Sequence, residues 1–378
     1  MSLKDDIQAE AHTLGFSLVG VTRPQKPPHF ETFQQWLDLD RHGQMAYLSR
    51  PENVQRRKNP QLIMPETQSI LSLAVLYSSA ARVPDRLPPA ELRGRVAAYA
   101  WGKDYHLVIP PRLDQLAEKI AGLTGRPVRH KRYTDTGPIL EHDLAQQAGL
   151  GWIGKNTCLI SPKLGSYFFL SELFLDVDLE PDPPFSFDRC GSCQRCIQAC
   201  PTGCILPDRT LDATRCISYL TIENKREIPL ALRSEMGNWI FGCDICQEVC
   251  PWNLRFAPEN GDPSFDPLPG IPAPNLLEDL RLTPEGFNRK FKDSPIQRSR
   301  RRGYLRNCCV ALGNQPDSAS IPQLASTLLS EPEPLVRRHA AWALGKIGTP
   351  HARQPLEKAL QFENDPAVVQ EIQQALVS

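Results

Sequence analysis

The chain has 378 residues, and 43 Lys plus Arg balance 43 Asp plus Glu, so its formal charge is zero. That length suits two or three domains at about 150 residues each, with room for buried cores. The neutral total excludes a basic coat over the whole surface and leaves a local basic patch open. Cysteine is the outlier: nine of the 12 fall within residues 190–250, which points to an inorganic centre in the middle of the sequence. A secreted disulfide framework needs an export signal, and the opening Met-Ser-Leu-Lys-Asp-Asp has no apolar segment behind it, so a cytoplasmic protein is expected. The most apolar stretches, 70–77 and 167–177, are shorter than the ~18–20 residues that cross a bilayer, and no membrane span is predicted. Proline, at 36 residues, is roughly twice its usual ~5%. It gathers at 84–89, 181–184 and 263–274, and the last two clusters read as boundaries on either side of the cysteines.

In chain order, Leu3, Ile7, Ala11 and Leu14 share one face of a helix that Gly15 can end. Residues 16–21 then read as a strand, with further strands predicted at 70–77, 96–101, 128–134 and 167–177 and helices near 107–123 and 138–148 between them. This pattern fits an α/β or an α+β domain and does not give its topology. Beyond Pro274 the chain turns helical and repeats itself. Ala311-Leu312-Gly313 returns as Ala343-Leu344-Gly345 and again as Ala375-Leu376, and Leu324 with Leu356, Leu328 with Leu360, Pro334 with Pro366 and Val336 with Val368 keep the same 32-residue step. Such regularity predicts paired helices stacked in a HEAT-like array; the alternative is a pair of ordinary amphipathic hairpins. About two units are fewer than a free-standing solenoid needs, so the array is expected to dock on what precedes it.

Within the cysteine block, Cys190-x2-Cys193-x2-Cys196-x3-Cys200-Pro201 has the spacing of a bacterial ferredoxin. Three thiolates on one tight loop cap three corners of a 4Fe-4S cube, and the fourth serves the other cluster. The partner half is split into Cys216 and Cys243-x2-Cys246-x3-Cys250-Pro251. Crossed ligation assigns Cys190, Cys193, Cys196 and Cys250 to one cluster and Cys200, Cys216, Cys243 and Cys246 to the other. Two zinc sites are the competing reading, but zinc does not need the Cys-Pro that closes both halves. Cys204, Cys158, Cys308 and Cys309 lack metal spacing and are expected in the core.

Asp135 ends a strand pattern before Gly137-Pro138. It either caps the following helix or stands as an acid catalyst at a strand end above a cofactor, and spacing does not choose between them. The glycines at 149, 151 and 154 fit no nucleotide-binding pattern.

Taken together, Asp135-Thr-Gly-Pro, Gly149-Leu-Gly-Trp-Ile-Gly-Lys-Asn-Thr157, the Cys-Pro-Thr-Gly turn at 200–203, Cys216-Ile-Ser-Tyr-Leu-Thr-Ile-Glu223 and Gly242-Cys-Asp-Ile-Cys-Gln-Glu-Val-Cys-Pro-Trp-Asn253 resemble epoxyqueuosine reductase. The resemblance runs over essentially the whole chain. It implies an α+β multidomain protein: an α/β cobalamin-binding catalytic domain at 1–180, a ferredoxin-like domain with two 4Fe-4S clusters at 181–262, and a C-terminal α-helical HEAT-like domain at 263–378 that contacts tRNA.

The activity so implied is reduction of epoxyqueuosine to queuosine at the wobble position of tRNA. Cobalamin is fed by the two clusters, and Asp135 is the proton donor. An ordinary aspartate is ionised at pH 7, so its site is expected either to raise its pKa by burial or to draw a proton through water. The nearest approach to the Asp-x-His-x-x-Gly signature of a histidine cobalt ligand, Asp104-Tyr-His106-Leu-Val-Ile109, lacks the glycine, so no protein ligand below the cobalt is inferred. Arg57, Ala98, Asn156, Thr157 and Ser218, with Asp135, are the candidate cobalamin contacts.

Arg289, Lys290, Lys292, Arg298, Arg300, Arg301, Arg302 and Arg306 lie within 18 residues against one acid, Asp293. They lead into the helical repeats, and Arg298, Arg300, Arg301 and Arg302 are the expected phosphate contacts. An external electron donor and a monomeric state complete the expectation. Two alternatives remain open at this point: a reductive dehalogenase-like cobalamin enzyme, and a ferredoxin-type electron-transfer protein whose repeats bind a partner.

Overall fold

The computed structural model describes residues 2–77 and 92–377; the proline cluster at 84–89 lies outside the described residues. Its strands in chain order are β1 (Leu18–Thr22), β2 (Ser69–Leu76), β3 (Arg95–Val96), β4 (His130–Tyr133), β5 (Trp152–Ile153), β6 (Leu159–Ile160), β7 (Phe168–Leu175) and β8 (Trp239–Phe241). The chain divides into two compact units, each assembled from three separate stretches. Residues 1–82, 102–213 and 245–266 form the first, and residues 83–101, 214–244 and 267–378 the second. No helix among the described residues is long and apolar enough to cross a membrane.

The first unit is built on a four-stranded sheet in the order β1-β2-β7-β4, antiparallel at every pairing. It is therefore α+β, which corrects the expectation of an α/β domain here. β2 and β7 occupy the centre and are buried along nearly their whole length, so both read as near-continuous apolar runs. Side-chain parity divides the faces. Ile70, Ala74, Phe168, Leu170 and Phe174 pack with Leu144 and Ala145 of the helix Glu141–Gln147. On the opposite face the helix Tyr105–Thr124 packs against β4 and β7, with the Tyr105 ring stacked on Phe169 at 4.4 Å. Gly20 lets β1 pass under the first of these helices, because a Cβ there would lie 2.1 Å from Ala148 O. The helix Leu3–Thr13 opens on a capping box between Ser2 and Asp5 and gives way to Gly15 at φ 90°, as predicted. Helices Phe30–Asp38 and Pro51–Lys58 were not legible in the sequence.

In the second unit the strand expected at 96–101 shrinks to β3, which pairs in parallel with β8 and runs into a 3-10 turn, Ala98–Ala100. Helices Arg300–Gly313, Pro334–Ile347 and Pro366–Val377 pack in succession, and Ile321–Ser330 packs on Pro350–Leu360. The recurring glycine now has a cause. A Cβ at Gly313 would meet Trp342 at 2.4 Å, and one at Gly345 would meet Ala375 Cβ at 2.7 Å, so each repeat keeps a glycine where consecutive helices touch. Pro284, Pro334, Pro350 and Pro366 each open a helix, where the missing N–H costs nothing. Arg300–Gly313 also packs on β8 and on the helix Ile217–Ile222, so the array is docked within its unit rather than free-standing.

Candidate functional site

Asp135 stands beyond the end of β4 at φ 62°, a left-handed backbone that aspartate tolerates better than most residues. The helix that follows has Leu140 at its N-cap and no side-chain cap bond, so Asp135 does not cap it. Its side chain is 66% exposed, so it is not held by burial. Instead Tyr105 Oη donates to Asp135 Oδ2 at 2.6 Å, and His106 Nε2 faces the same oxygen at 3.8 Å. Asp104, the N-cap of the helix Tyr105–Thr124, engages His106 Nδ1 at 2.8 Å and leaves Nε2 to the carboxylate side.

Behind the loop lies a second pair of acids. Glu141 Oε1 accepts the Asp135 backbone N–H at 2.6 Å, and Glu141 contacts Glu172, carboxyl to carboxyl. Glu172 is fully buried in the middle of β7, opposite Ser72 of β2, whose Oγ donates to Glu172 Oε1 at 3.3 Å. Among the described residues no N–H or hydroxyl reaches Glu172 Oε2, so two carboxyls in contact are compatible only when one keeps its proton. Desolvation, then the Asp135 charge, pushes Glu141 up to about 8, and desolvation with Glu141 raises Glu172 as well.

The linkage has a definite sign. Between the ordinary glutamate value of 4.5 and about 8 the folded chain holds more protons than the unfolded one, so stability falls as pH rises through that window. The melting temperature of Glu141→Gln should decline less between pH 5 and pH 8 than that of the wild type. Equal slopes would show that the pair does not titrate in this way.

Arg57 lies on the helix Pro51–Lys58, only 4% exposed, with its guanidinium 5.5 Å from the centre of the Phe33 ring. Among the described residues its Nη1 has no acceptor. Asn156 is equally buried, and both ends of its amide lack partners. Buried polar groups are normally paired, so these two residues could hold a polar ligand. Thr157 follows at φ 65°, its N–H donating to Gly154 O at 3.0 Å. Ala98 and Ser218 belong to the second unit. There Ala98 is buried and its N–H donates at 2.6 Å to Asp244, next to Cys243, while Ser218 lies on the helix capped by Cys216.

Cys190, Cys193, Cys196 and Cys250 line a single cavity of the first unit together with Trp252 and Lys155. Trp152, 1% exposed, aims its indole N–H at Cys190 Sγ from 3.4 Å. Lys155 Nζ donates to Gly191 O at 2.7 Å and Cys193 O at 2.9 Å. Of the other four cysteines, Cys200 and Cys246 lie in the first unit and Cys216 and Cys243 in the second. Cys204 is buried as expected, but it also touches Cys200: Cys204 Sγ at 3.4 Å and Thr202 Oγ1 at 3.5 Å support the Cys200 thiolate and bring its pKa down to about 5. Cys308 and Cys309 are fully buried, Cys158 half-buried, and burial raises the thiols of the first two.

The basic run is thinner at the surface than in sequence. Arg306 is fully buried. Arg301 makes two bonds to Glu331, at 2.8 and 2.6 Å, Arg298 makes two to Glu223, at 2.8 and 3.2 Å, and Lys290 pairs with Asp279. Arg289, Lys292, Arg300 and Arg302 are exposed.

Tyr105, Glu141, Glu172 and Trp152 are the site residues that sequence reasoning missed. Glu172 did carry a signal, the one acid in the apolar stretch 168–175. Tyr105 sits within the Asp104-x-His106 triplet, whose spacing carries no signal for a tyrosine partner of Asp135.

Three stretches match known family models: "Epoxyqueuosine reductase QueG, DUF1730" at residues 57–136, "4Fe-4S double cluster binding domain" at 189–253 and "HEAT repeats" at 297–377. The second supports iron–sulfur over zinc. The epoxyqueuosine reductase of Pseudomonas aeruginosa is 40% identical over 347 residues, covering 92% of this chain and 95% of the relative. That of Bacillus subtilis is 34% identical over 376 residues, covering 99% and 95%. The fold is similar to a crystal structure of epoxyqueuosine reductase with an epoxyqueuosine-modified tyrosine tRNA stem loop, at TM-score 0.90 and 32% identity over 99% of this chain and 98% of that one. A selenomethionine-labelled epoxyqueuosine reductase gives TM-score 0.91 at the same identity and coverage. With the acid loop, the cysteines and the helical array each inside a matched stretch, and identity of this order along nearly the whole length, the chain belongs to the epoxyqueuosine reductase family of oxidoreductases.

Proposed function

We propose that this chain reduces epoxyqueuosine to queuosine in the anticodon loop of tRNA, using cobalamin reduced through two 4Fe-4S clusters, with Asp135 as the proton donor. The observation that carries the cobalamin assignment is the orphaned pair Arg57 and Asn156. A corrin offers amide side chains and a nucleotide-loop phosphate, the partners that a buried guanidinium and a buried amide need. Ala98, Thr157 and Ser218 complete the proposed contacts. When bound, cobalamin supplies the two-electron chemistry that converts single electrons into removal of an epoxide oxygen.

The chain's own residues manage the protons and the approach. Leaving an alkene takes two electrons and two protons. Asp135 hands the first proton to the departing oxygen, in a geometry held by Tyr105 Oη on its carboxylate and Glu141 on its backbone N–H. Its exposure lets solvent reload it, with His106 alongside.

Cys190, Cys193, Cys196 and Cys250 hold one cluster, where the Trp152 N–H favours the reduced state by stabilising thiolate charge. Cys200, Cys216, Cys243 and Cys246 hold the other. In this reading residues 1–180 serve cobalamin and catalysis, 181–262 the clusters and 263–378 the tRNA. Of the proposed phosphate contacts Arg298, Arg300, Arg301 and Arg302, the exposed Arg300 and Arg302 carry the proposal, whereas Arg298 and Arg301 would first have to leave Glu223 and Glu331, and the modified base is taken out of its stack into the site. The relative bound to a modified stem loop supports tRNA as the substrate. The protein is read as a cytoplasmic monomer fed by an external donor.

The test has two parts. Anaerobically prepared protein mixed with cobalamin should keep its corrin absorbance through gel filtration. A strain lacking the protein should accumulate epoxyqueuosine in its tRNA nucleosides by mass spectrometry, and normal queuosine there would reject the assignment.

A further inference from the structure

The cavity formed by Cys190, Cys193, Cys196 and Cys250 is also lined by Lys155, Arg189 and Arg195, and by no acid among the described residues. Arg189 and Arg195 are exposed. Arg189 bridges two elements, its guanidinium 5.7 Å from the centre of the Phe185 ring and 5.9 Å from that of Trp252. Asp188, next to Arg189, accepts the Cys190 N–H and is paired with Arg209, which offsets its charge. Phe187, 70% exposed, and Leu254, 58% exposed, are large apolar side chains in water, two residues before Arg189 and two after Trp252 on the segments that carry the thiolates. A single-sign rim at a redox centre raises the on-rate of an oppositely charged partner by about 10 to 10³.

We propose that this face docks an acidic one-electron carrier protein, which reduces the chain through the Cys190–Cys193–Cys196–Cys250 cluster. The inference rests on the assignment of those cysteines to a 4Fe-4S cluster. Each encounter oxidises the carrier by one electron and reduces the cluster by one, with no atom transferred, and two encounters supply the electron pair for one epoxide. The protons come from the Asp135 side and from water. A carrier is favoured over RNA because the cations line the same cavity as the thiolates themselves, on segments that also expose Phe187 and Leu254. A short-lived redox complex needs only a small interface of this mixed kind.

The probe is a photoreduced flavodoxin, an acidic one-electron carrier, mixed with the cluster-loaded full chain in a stopped-flow instrument. For the wild type, the second-order rate of flavodoxin oxidation should fall as salt rises. Arg189→Glu combined with Arg195→Glu should lower that rate at least tenfold at low salt and flatten its salt dependence. Turnover driven by photoreduced deazaflavin, a small reductant that needs no docking, should stay at the wild-type level, and so should KM for the tRNA stem loop. A flavodoxin rate untouched by the double reversal overturns the docking. So does a raised KM for the stem loop with electron transfer unchanged, which would make the rim an RNA surface. Iron and sulfide analysis separates the underlying assignment: a chain without clusters overturns both, whereas a loaded chain that ignores the charge reversal overturns the docking alone.

Discussion

Asp135→Asn is expected to bind cobalamin and both clusters as the wild type does and to turn over about 10²- to 10⁴-fold more slowly, the range associated with losing a positioned general acid. The substitution is clean for structural reasons. Asparagine tolerates the left-handed φ of 62° as well as aspartate does, its Oδ1 can still accept from Tyr105 Oη, and its backbone N–H still reaches Glu141. Only the transferable proton is gone. Single-turnover assays on a modified stem loop should place the loss in the chemical step and not in KM. A Tyr105→Phe companion tests the arrangement separately: it keeps the acid but frees it, so it should lose less than the asparagine variant. Wild-type turnover by Asp135→Asn would remove that residue from the proton path.

Arg306→Leu should destabilise the second unit by at least about 3 kcal/mol, because it strands buried carbonyls that each cost about 1–3 kcal/mol to leave unpaired. Arg306 donates to Leu220 O at 2.6 Å, Asn224 O at 2.8 Å and Arg226 O at 2.6 Å. Asn307, held by the same guanidinium, covers Thr221 O and Ile240 O. Leu220 and Thr221 lie in the last turn of the helix Ile217–Ile222, where carbonyls have no intrahelical donor. Arg306 thus closes the end of the helix that starts at Cys216. For a unit of this size the loss lowers the melting temperature by roughly 6–12 °C, readable by calorimetry. Arg306→Lys should not restore it, since one ammonium cannot replace a planar fork spread over several acceptors. An unchanged melting temperature would mean that water or a backbone shift satisfies those carbonyls.

These two residues show where a linear reading succeeds and where it stops. Period and spacing are local, so the apolar runs that became β2 and β7, the cysteine pattern and the 32-residue glycine step were all legible. Partners distant in sequence were not. Tyr105 and Asp135 meet across 30 residues and Ser72 and Glu172 across 100, and nothing in either segment names the other. The antiparallel order β1-β2-β7-β4 was hidden for the same reason, because strand pairing is a long-range choice among apolar segments of similar pattern. Arg306 failed differently. A run of arginines says nothing about which of them the helix turns inward, and a buried arginine becomes intelligible only when the carbonyls around it are in view. Chemistry alone left open whether Asp135 is buried or draws its proton through water, whereas its 66% exposure follows from a loop that leaves the sheet edge.

The interleaving of the two units also bears on how the protein is made. The chain passes from one unit to the other five times, so neither unit is a continuous stretch that could fold as soon as it emerges. The first unit needs residues up to 266, and its cavity thiol Cys250 leaves the ribosome about 3–10 s after Cys196 at ordinary elongation rates. During that interval three thiols of one prospective ligand set wait on an unfinished loop. Iron delivery is thereby tied to late synthesis, and expression under iron limitation should leave a nearly full-length chain exposed to proteases, not a stable fragment.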